Sequence, residues 1–191
     1  IIRSPVATDA ELVGYSGFSS GGDYLSQPYN SALDFGTGDF CIMAWGLLTH
    51  SDVWRYLLDR WDEAQSGARL SLRVTSGGQL NLQSGVAGID APSGSFPLNQ
   101  WNHMLGLRRN GVLELWQNGA LLASAANTND LTNPTATTVI GGRHPTGGNF
   151  WNGSLALLRI SATAPTADQI AKIYEDERKL FRPGAQCTLY G

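Results

Sequence analysis

Period-two alternation of apolar and polar positions dominates the middle of the chain. In ARLSLRVT, residues 68–75, Leu70, Leu72 and Val74 fall on one face of an extended strand and Ser71 and Arg73 on the other. GQLNLQSG repeats the pattern, with Leu80 and Leu82 set against Asn81 and Gln83. Ser76-Gly77-Gly78 joins the two segments tightly, which predicts a hairpin. WNHMLGLRR and VLELWQ flank Asn110-Gly111, a turn pair in which both residues tolerate positive φ. Asn118-Gly119 then turns VLELWQ into ALLASAA, and ATTVIGG and SLALLRIS add two further strands. Turn signals recur about every ten residues, as expected of an all-β sandwich. His103 shares a strand face with Trp101, Leu105 and Leu107, which predicts a packed, hydrogen-bonded histidine.

The period changes once, near the end of the chain. Thr166, with Gln169 three residues on, forms a capping box just after Pro165. Ile170, Ile173 and Tyr174, then Leu180 and Phe181, make an apolar stripe at helical spacing. Asp168 in the first turn and Arg178 and Lys179 in the last complement the helix dipole, and Pro183-Gly184 stops the helix. A lone amphipathic helix must bury its stripe, so it is expected across the outside of a sheet. Leu155 and Leu157, on a face with Arg159, are candidates for what it covers.

A chain of 191 residues, 42% of them hydrophobic, is long enough for one self-sufficient core. A net charge of −3 with 15% charged residues shows no basic face, so no nucleic-acid partner is expected. The apolar run CIMAWGLL is far below the roughly 20 residues a bilayer span needs, so no membrane insertion is expected. The chain opens Ile1-Ile2, and no basic segment followed by an apolar stretch comes first, so no signal peptide is expected in this sequence, which reads as an excised piece of a longer protein with neighbouring modules. Cys41 and Cys187 do not make a disulfide framework and are expected to be free thiols.

Tests for chemistry mostly fail. DFGTGDFCIMAW, residues 34–45, offers Gly36 and Gly38 for a phosphate and Asp34 and Asp39 for a metal. A dinucleotide fingerprint needs a strand before it and a helix after it, whereas here a strand follows. GFSSG matches a nucleophile elbow around Ser19, but GDYLSQP cannot supply the helix that must come next. A β-sandwich glycosidase needs paired carboxylates; Glu114 is alone, and Asp59, Asp62 and Glu63 are wrongly spaced.

The aromatic residues say more. Trp45, Trp101 and Trp116 sit within strands, as core or near-core positions. Trp54 and Trp61 lie in SDVWRYLLDRWDEAQSG, where Arg60, Asp62 and Glu63 flank Trp61. Such side chains either form a glycan platform, with sugar C–H faces on indole and hydroxyls on the charged groups, or fold back as packing.

The order of motifs resembles the laminin G-like, concanavalin A-like domains. DYLSQPYNSALDFGTGDFCIMAWG resembles their opening strand, loop and aromatic strand. PLNQWNHMLGLRRNGVLELWQNGALLAS resembles their "G-Q-W-H-H-V" strand and the strand ending in "V-N-G". VIGGR, then FWNGSLALLRIS, resembles their closing strands, and PTADQIAKIY their final short helix. The resemblance divides the chain into a lead-in at 1–10, a jelly-roll domain at 11–181 and a tail or junction at 182–191. It implies an all-β, two-sheet antiparallel jelly roll with one short C-terminal helix. On it, DFGTGDF is a turn into a core strand, with Phe40, Ile42 and Trp45 packing and Asp39 serving the turn.

The family often binds glycans or proteins and frequently holds one calcium ion at its loop rim. Here Ala156-Leu157 replaces its usual acidic pair, leaving Asp62 and Glu63, with Asn149, as the calcium candidates. The closing segment YEDERKLFRPGAQCTLYG also resembles junctions in phage tail and virion proteins, which places the chain on a virion or outside a cell. The resulting expectation is a non-catalytic module binding a cell-surface or extracellular glycan. Its contacts are Trp54, Arg60, Trp61 and Asp62, with His144 and Asn149 opposite. A protein-interaction or spacer module is the alternative, and a glycosidase or lyase a more distant one.

Overall fold

The computed structural model of the chain describes residues 1–18, 23–62, 68–143 and 149–187. The first strands among these are β1 (Ile2–Pro5), β2 (Val13–Ser16), β3 (Leu25–Gln27), β4 (Phe40–Leu48) and β5 (Arg55–Trp61). There follow β6 (Leu70–Val74), β7 (Leu80–Ser84), β8 (Ala87–Asp90) and β9 (Trp101–Arg109). Then come β10 (Val112–Gln117), β11 (Ala120–Ala126), β12 (Thr137–Ile140) and β13 (Gly153–Ser161). The α-helix α1 (Ala167–Glu177) closes the set, with a 3₁₀ turn over Arg178–Phe181. All pairings are antiparallel, in a seven-stranded sheet ordered β1-β2-β13-β4-β9-β10-β11 and a six-stranded sheet ordered β3-β12-β5-β6-β7-β8. This is a concanavalin A-like jelly-roll sandwich.

The hairpins fall where the alternation puts them. Asn110 (φ 50°) and Gly111 (φ 74°) both take the left-handed region between β9 and β10, and Asn118 and Gly119 do so between β10 and β11. Leu70, Leu72, Val74, Leu80 and Leu82 face the other sheet and are at most 1% exposed. Burying each such side chain stabilises the fold by about 1.5–3 kcal/mol. Phe40 and Ile42 join the same core. Residues 2–5, expected within a lead-in, form the edge strand β1 on β2.

The stretch 34–39 is a structural loop. Arg108 threads beneath it, its guanidinium donating to the carbonyls of Gly36 (2.7 Å), Gly38 (2.8 Å) and Asn129 (2.7 Å). Asp39 accepts from the backbone N–H of Asn110 at 2.9 Å and so supports the β9–β10 turn.

Helix α1 lies on the outer face of the seven-stranded sheet. Its capping box is formed as expected, Gln169 N–H donating to Thr166 Oγ1 and Thr166 N–H to Gln169 Oε1. Ile170 packs on Cys41, Met43, Leu105, Leu107 and Trp116. Trp45 is 2% exposed but lies on this outer side, stacked on Phe181 at 4.3 Å and Tyr174 at 5.8 Å. Its indole N–H donates to Glu177 at 2.8 Å, and Arg159 pairs with the same carboxylate.

One expected face is corrected. Leu155 does not lie beneath α1; it faces the main core, whereas Ala156, Leu157 and Tyr174 cluster outside. The register of β13 against β4 shifts between Ala156 and Arg159, and Leu157 takes a φ of 50°. That extra residue breaks the alternation, as a β-bulge does. Near the chain's ends, residues 8–11 and 184–187 run side by side, Gly184 N–H donating to Thr8 O (2.8 Å) and Glu11 N–H to Ala185 O (2.9 Å). Cys187 N–H completes this seam on a Glu11 carboxylate oxygen at 2.7 Å. Among the described residues no helix is long and apolar enough to cross a membrane.

Candidate functional site

The outer face of the six-stranded sheet is the opposite side of the sandwich from α1, and its chemistry is different. Strand β6 directs Leu70, Leu72 and Val74 inward, so Ser71 and Arg73 point outward with the preceding Arg69. The register sets Tyr56 of β5 opposite Arg73, and Asp59 opposite Ser71. On the other side of β6, Asn81 lies opposite Arg73 and Gln83 opposite Ser71. A polar strip therefore crosses three strands.

Along it, cations and aromatic rings alternate. The Arg143 guanidinium carbon is 5.9 Å from the Trp61 ring, and that of Arg69 is 4.8 Å from Trp61 and 5.2 Å from Tyr56. The guanidinium carbon of Arg73 is 5.2 Å from Tyr56 and 4.1 Å from Trp54. Such contacts contribute about 0.5–2 kcal/mol each, more when water is excluded. The row thus runs Arg143, Trp61, Arg69, Tyr56, Arg73, Trp54.

Hydrogen bonds fix the middle of the row. Arg69 holds Asp59 with a two-pronged fork, Nε to Oδ1 at 2.8 Å and Nη2 to Oδ2 at 2.7 Å. Arg73 donates to Asn81 Oδ1 (2.8 Å), the Tyr56 hydroxyl (2.8 Å) and Gln83 Oε1 (3.1 Å). Asn81 is oriented in turn by Asp90, to which its amide donates at 2.9 Å. Burial draws the Arg73 pKa below the ordinary arginine value, and Tyr56 opposes that shift. Among the described residues, buried Trp61 Nε1, Ser71 Oγ and Arg143 Nε find no hydrogen-bond partner.

The expected site residues separate on this frame. Trp54 and Trp61 both belong to the row, and Trp54 is 37% exposed. Arg60 does not reach a rim. It points into the sandwich, 2% exposed, and pairs with Asp34 at 2.8 Å while donating to the carbonyls of Leu131 and Asn133. The register shift of β5 against β6 between Tyr56 and Leu58 reverses the alternation and turns Arg60 inward. Asp62 is half-buried directly after Trp61. Asn149 is half-buried with φ 59°, and its carbonyl accepts from Tyr56 N–H at 3.1 Å, so it lies beside the Tyr56 end of β5. His144, Glu63 and Ser19 lie outside the described residues.

The sequence pattern puts Arg73 on a polar strand face but does not single out Arg69, Tyr56, Arg73 or Arg143 as site residues. Its usable signal was the polar face of ARLSLRVT, where residues 69, 71 and 73 must share one side. Calcium requires six to eight oxygens; among the described residues no three His, Cys, Asp or Glu side chains come together, and of the calcium candidates Glu63 lies outside those residues. A cavity of about 690 Å³ lies on the other side of the sandwich, between α1 and β4, floored by Cys41, Met43 and Ile173. Burial pushes the Cys41 thiol up to about 12, which keeps it protonated and unreactive.

The concanavalin A-like lectin/glucanases superfamily model Laminin_G_3 matches residues 19–171, and the chain belongs to that family. No curated protein matches the chain in sequence. Among solved structures it is similar to the CBM40 module of the Ruminococcus gnavus IT-sialidase bound to α2,3-sialyllactose. That match has 14% identity and a TM-score of 0.66, covering 84% of this chain and 96% of that one. It is also similar to domain 4 of AbnA, an extracellular arabinanase of Geobacillus stearothermophilus, in complex with arabinotriose. There the identity is 18% and the TM-score 0.65, covering 85% and 81%. A third is the heptameric SAP-like pentraxin of Limulus polyphemus, at 21% identity and a TM-score of 0.61, covering 84% and 80%.

Proposed function

We propose that the chain is a non-catalytic carbohydrate-recognition module and that its glycan lies along the outer face of the six-stranded sheet. The observation that carries this reading is the aromatic–arginine row on that face, ended by Trp54 and Trp61. Indole faces suit the C–H faces of sugar rings, and fixed amide and guanidinium groups suit their hydroxyls. Asn81, Gln83 and Arg73 are held in position by one another, so little ordering remains when a sugar arrives. The same fold carries sialyllactose in one similar structure and arabinotriose in another, which supports a glycan partner. A non-catalytic role is supported by Asp59, both of whose oxygens are occupied by Arg69 and so are not poised for proton transfer.

We place the module in host-surface adhesion by a tail-associated or extracellular protein, on the resemblance of its closing segment alone. Retention on a broad glycan array tests the binding role. Selective retention is expected, and Trp54→Ala and Trp61→Ala are each expected to weaken it about tenfold or more while still unfolding in one cooperative transition well above the assay temperature. Full retention by both variants would remove this face from the reading.

A further inference from the structure

Charge on the row narrows the class of glycan, an inference that rests on the reading above. Arg55, Arg60, Arg69, Arg109, Arg159 and Arg178 each face a carboxylate. Arg108 lacks one but is closed in by three backbone carbonyls, which gives it a structural task. Arg73 has neither arrangement. It is 7% exposed, and its bonds go to the neutral side chains of Asn81, Tyr56 and Gln83 on an outer sheet face. Of the five N–H groups of a guanidinium, those three bonds leave two, one on each Nη nitrogen.

A cation withdrawn from water is costly, and natural sites meet that cost with a bound anion or an ion pair; the one carboxylate whose charge favours Arg73 is Asp59, already forked to Arg69. The same surplus of donors recurs along the row. Trp61 Nε1 and Arg143 Nε are donors only, and both are buried and unpartnered, with Ser71 Oγ unpartnered nearby. Of the carboxylates beside Arg73's partners, Asp59 has both oxygens taken by Arg69, and the exposed Asp90 accepts from Asn81 at Oδ1. The face therefore holds spare donors, and among the described residues no carboxylate is ion-paired to Arg73.

We propose that the sugar it takes is acidic: a glycan bearing a carboxylate, such as a uronic acid, with the carboxylate received by the remaining Nη N–H groups of Arg73. A carboxylate matches the guanidinium in both charge and planar geometry, which a hydroxyl does not. Trp54, 4.1 Å from the same guanidinium, then offers its exposed indole to the sugar ring.

The test is an array of carboxylated oligosaccharides, each beside its methyl ester, read at low and high salt. Preference for the free acid by about tenfold is expected, the size of one charge-assisted contact, and it should shrink in salt. Arg73→Gln should lose the preference while Arg73→Lys keeps part of it. Melting curves verify that the variants fold, and Arg143→Gln, whose Nε bonds no group, reads the same donor surplus should Arg73→Gln fail to fold. Equal retention of acid and ester would overturn the acidic-sugar inference and leave the glycan reading standing. Retention of no sugar on this array or the broad one would overturn both.

Discussion

His103 sets an acid limit on this fold. It lies on the outer face of β9, 1% exposed, with its ring 5.2 Å from Trp45 and 6.1 Å from Tyr174 under α1. Neither ring nitrogen has a hydrogen-bond partner. Burial, with a smaller contribution from Arg159, lowers its pKa from 6.5 to about 4. Because the folded value is the lower one, the unfolded chain binds the proton first. Stability from this residue is complete above pH 6.5 and is lost as pH falls toward 4. The full loss is about 3 kcal/mol, of which about 2 kcal/mol is gone by pH 5. For a chain of this size 2 kcal/mol lowers the melting temperature by about 5 °C. His103→Leu deletes the titration and both unpartnered nitrogens, so its stability should match or exceed the parent's at pH 7.5. Urea unfolding of both proteins at pH 7.5 and 5.0 isolates the effect, since the carboxylates titrate alike in each. Identical losses in the two proteins would refute the claim that His103 is buried and neutral.

Two further substitutions test the packing. Arg60→Met leaves the Asp34 carboxylate, 2.8 Å from the guanidinium it loses, without its buried counter-ion. Urea unfolding should show a loss of about 3–5 kcal/mol, and a surface-like loss below about 0.5 kcal/mol would return Arg60 to the rim. Gly153→Ala would set its Cβ 1.9 Å from the Leu47 carbonyl oxygen, forcing β13 away from β4. A loss of about 3 kcal/mol or more is expected, and an unchanged melting curve would refute that close approach.

The parts of the molecule legible in the sequence are those fixed by local periodicity. The Asn-Gly turns, the inward faces of β6 and β7 and the capping box of α1 all depend on residues a few positions apart. The failures begin where one extra residue enters a strand. The irregularity between Tyr56 and Leu58 sends Arg60 inward, and the one at Leu157 sends Leu155 inward. A bulge costs no change in composition, so alternation cannot reveal it. The partners were equally hidden: Asp34 meets Arg60 across the fold, and Arg69 meets Asp59 only because β5 and β6 pair in that register. Of the candidate site, the two indoles were visible because they stood in a polar stretch. The arginines between them were not, because charged residues on a strand usually mean a solvated face, and here Arg73 is buried.

The seam between residues 8–11 and 184–187 bears on force. It joins the two ends of the fold on the side of the sandwich away from the aromatic–arginine row. A pull that separates the ends meets the edge strand β1 from the N-terminal side and these three hydrogen bonds from the C-terminal side, each bond having a net worth of about 1 kcal/mol. They lie along short segments and open one after another, so the seam yields as a latch at low load. Once β1 and the seam have opened, tension passes to β2, next in order in the seven-stranded sheet. The six-stranded sheet, with the ligand face, is the last layer to feel it. A module anchored through its ends could thus give way at the tether while keeping hold of its sugar.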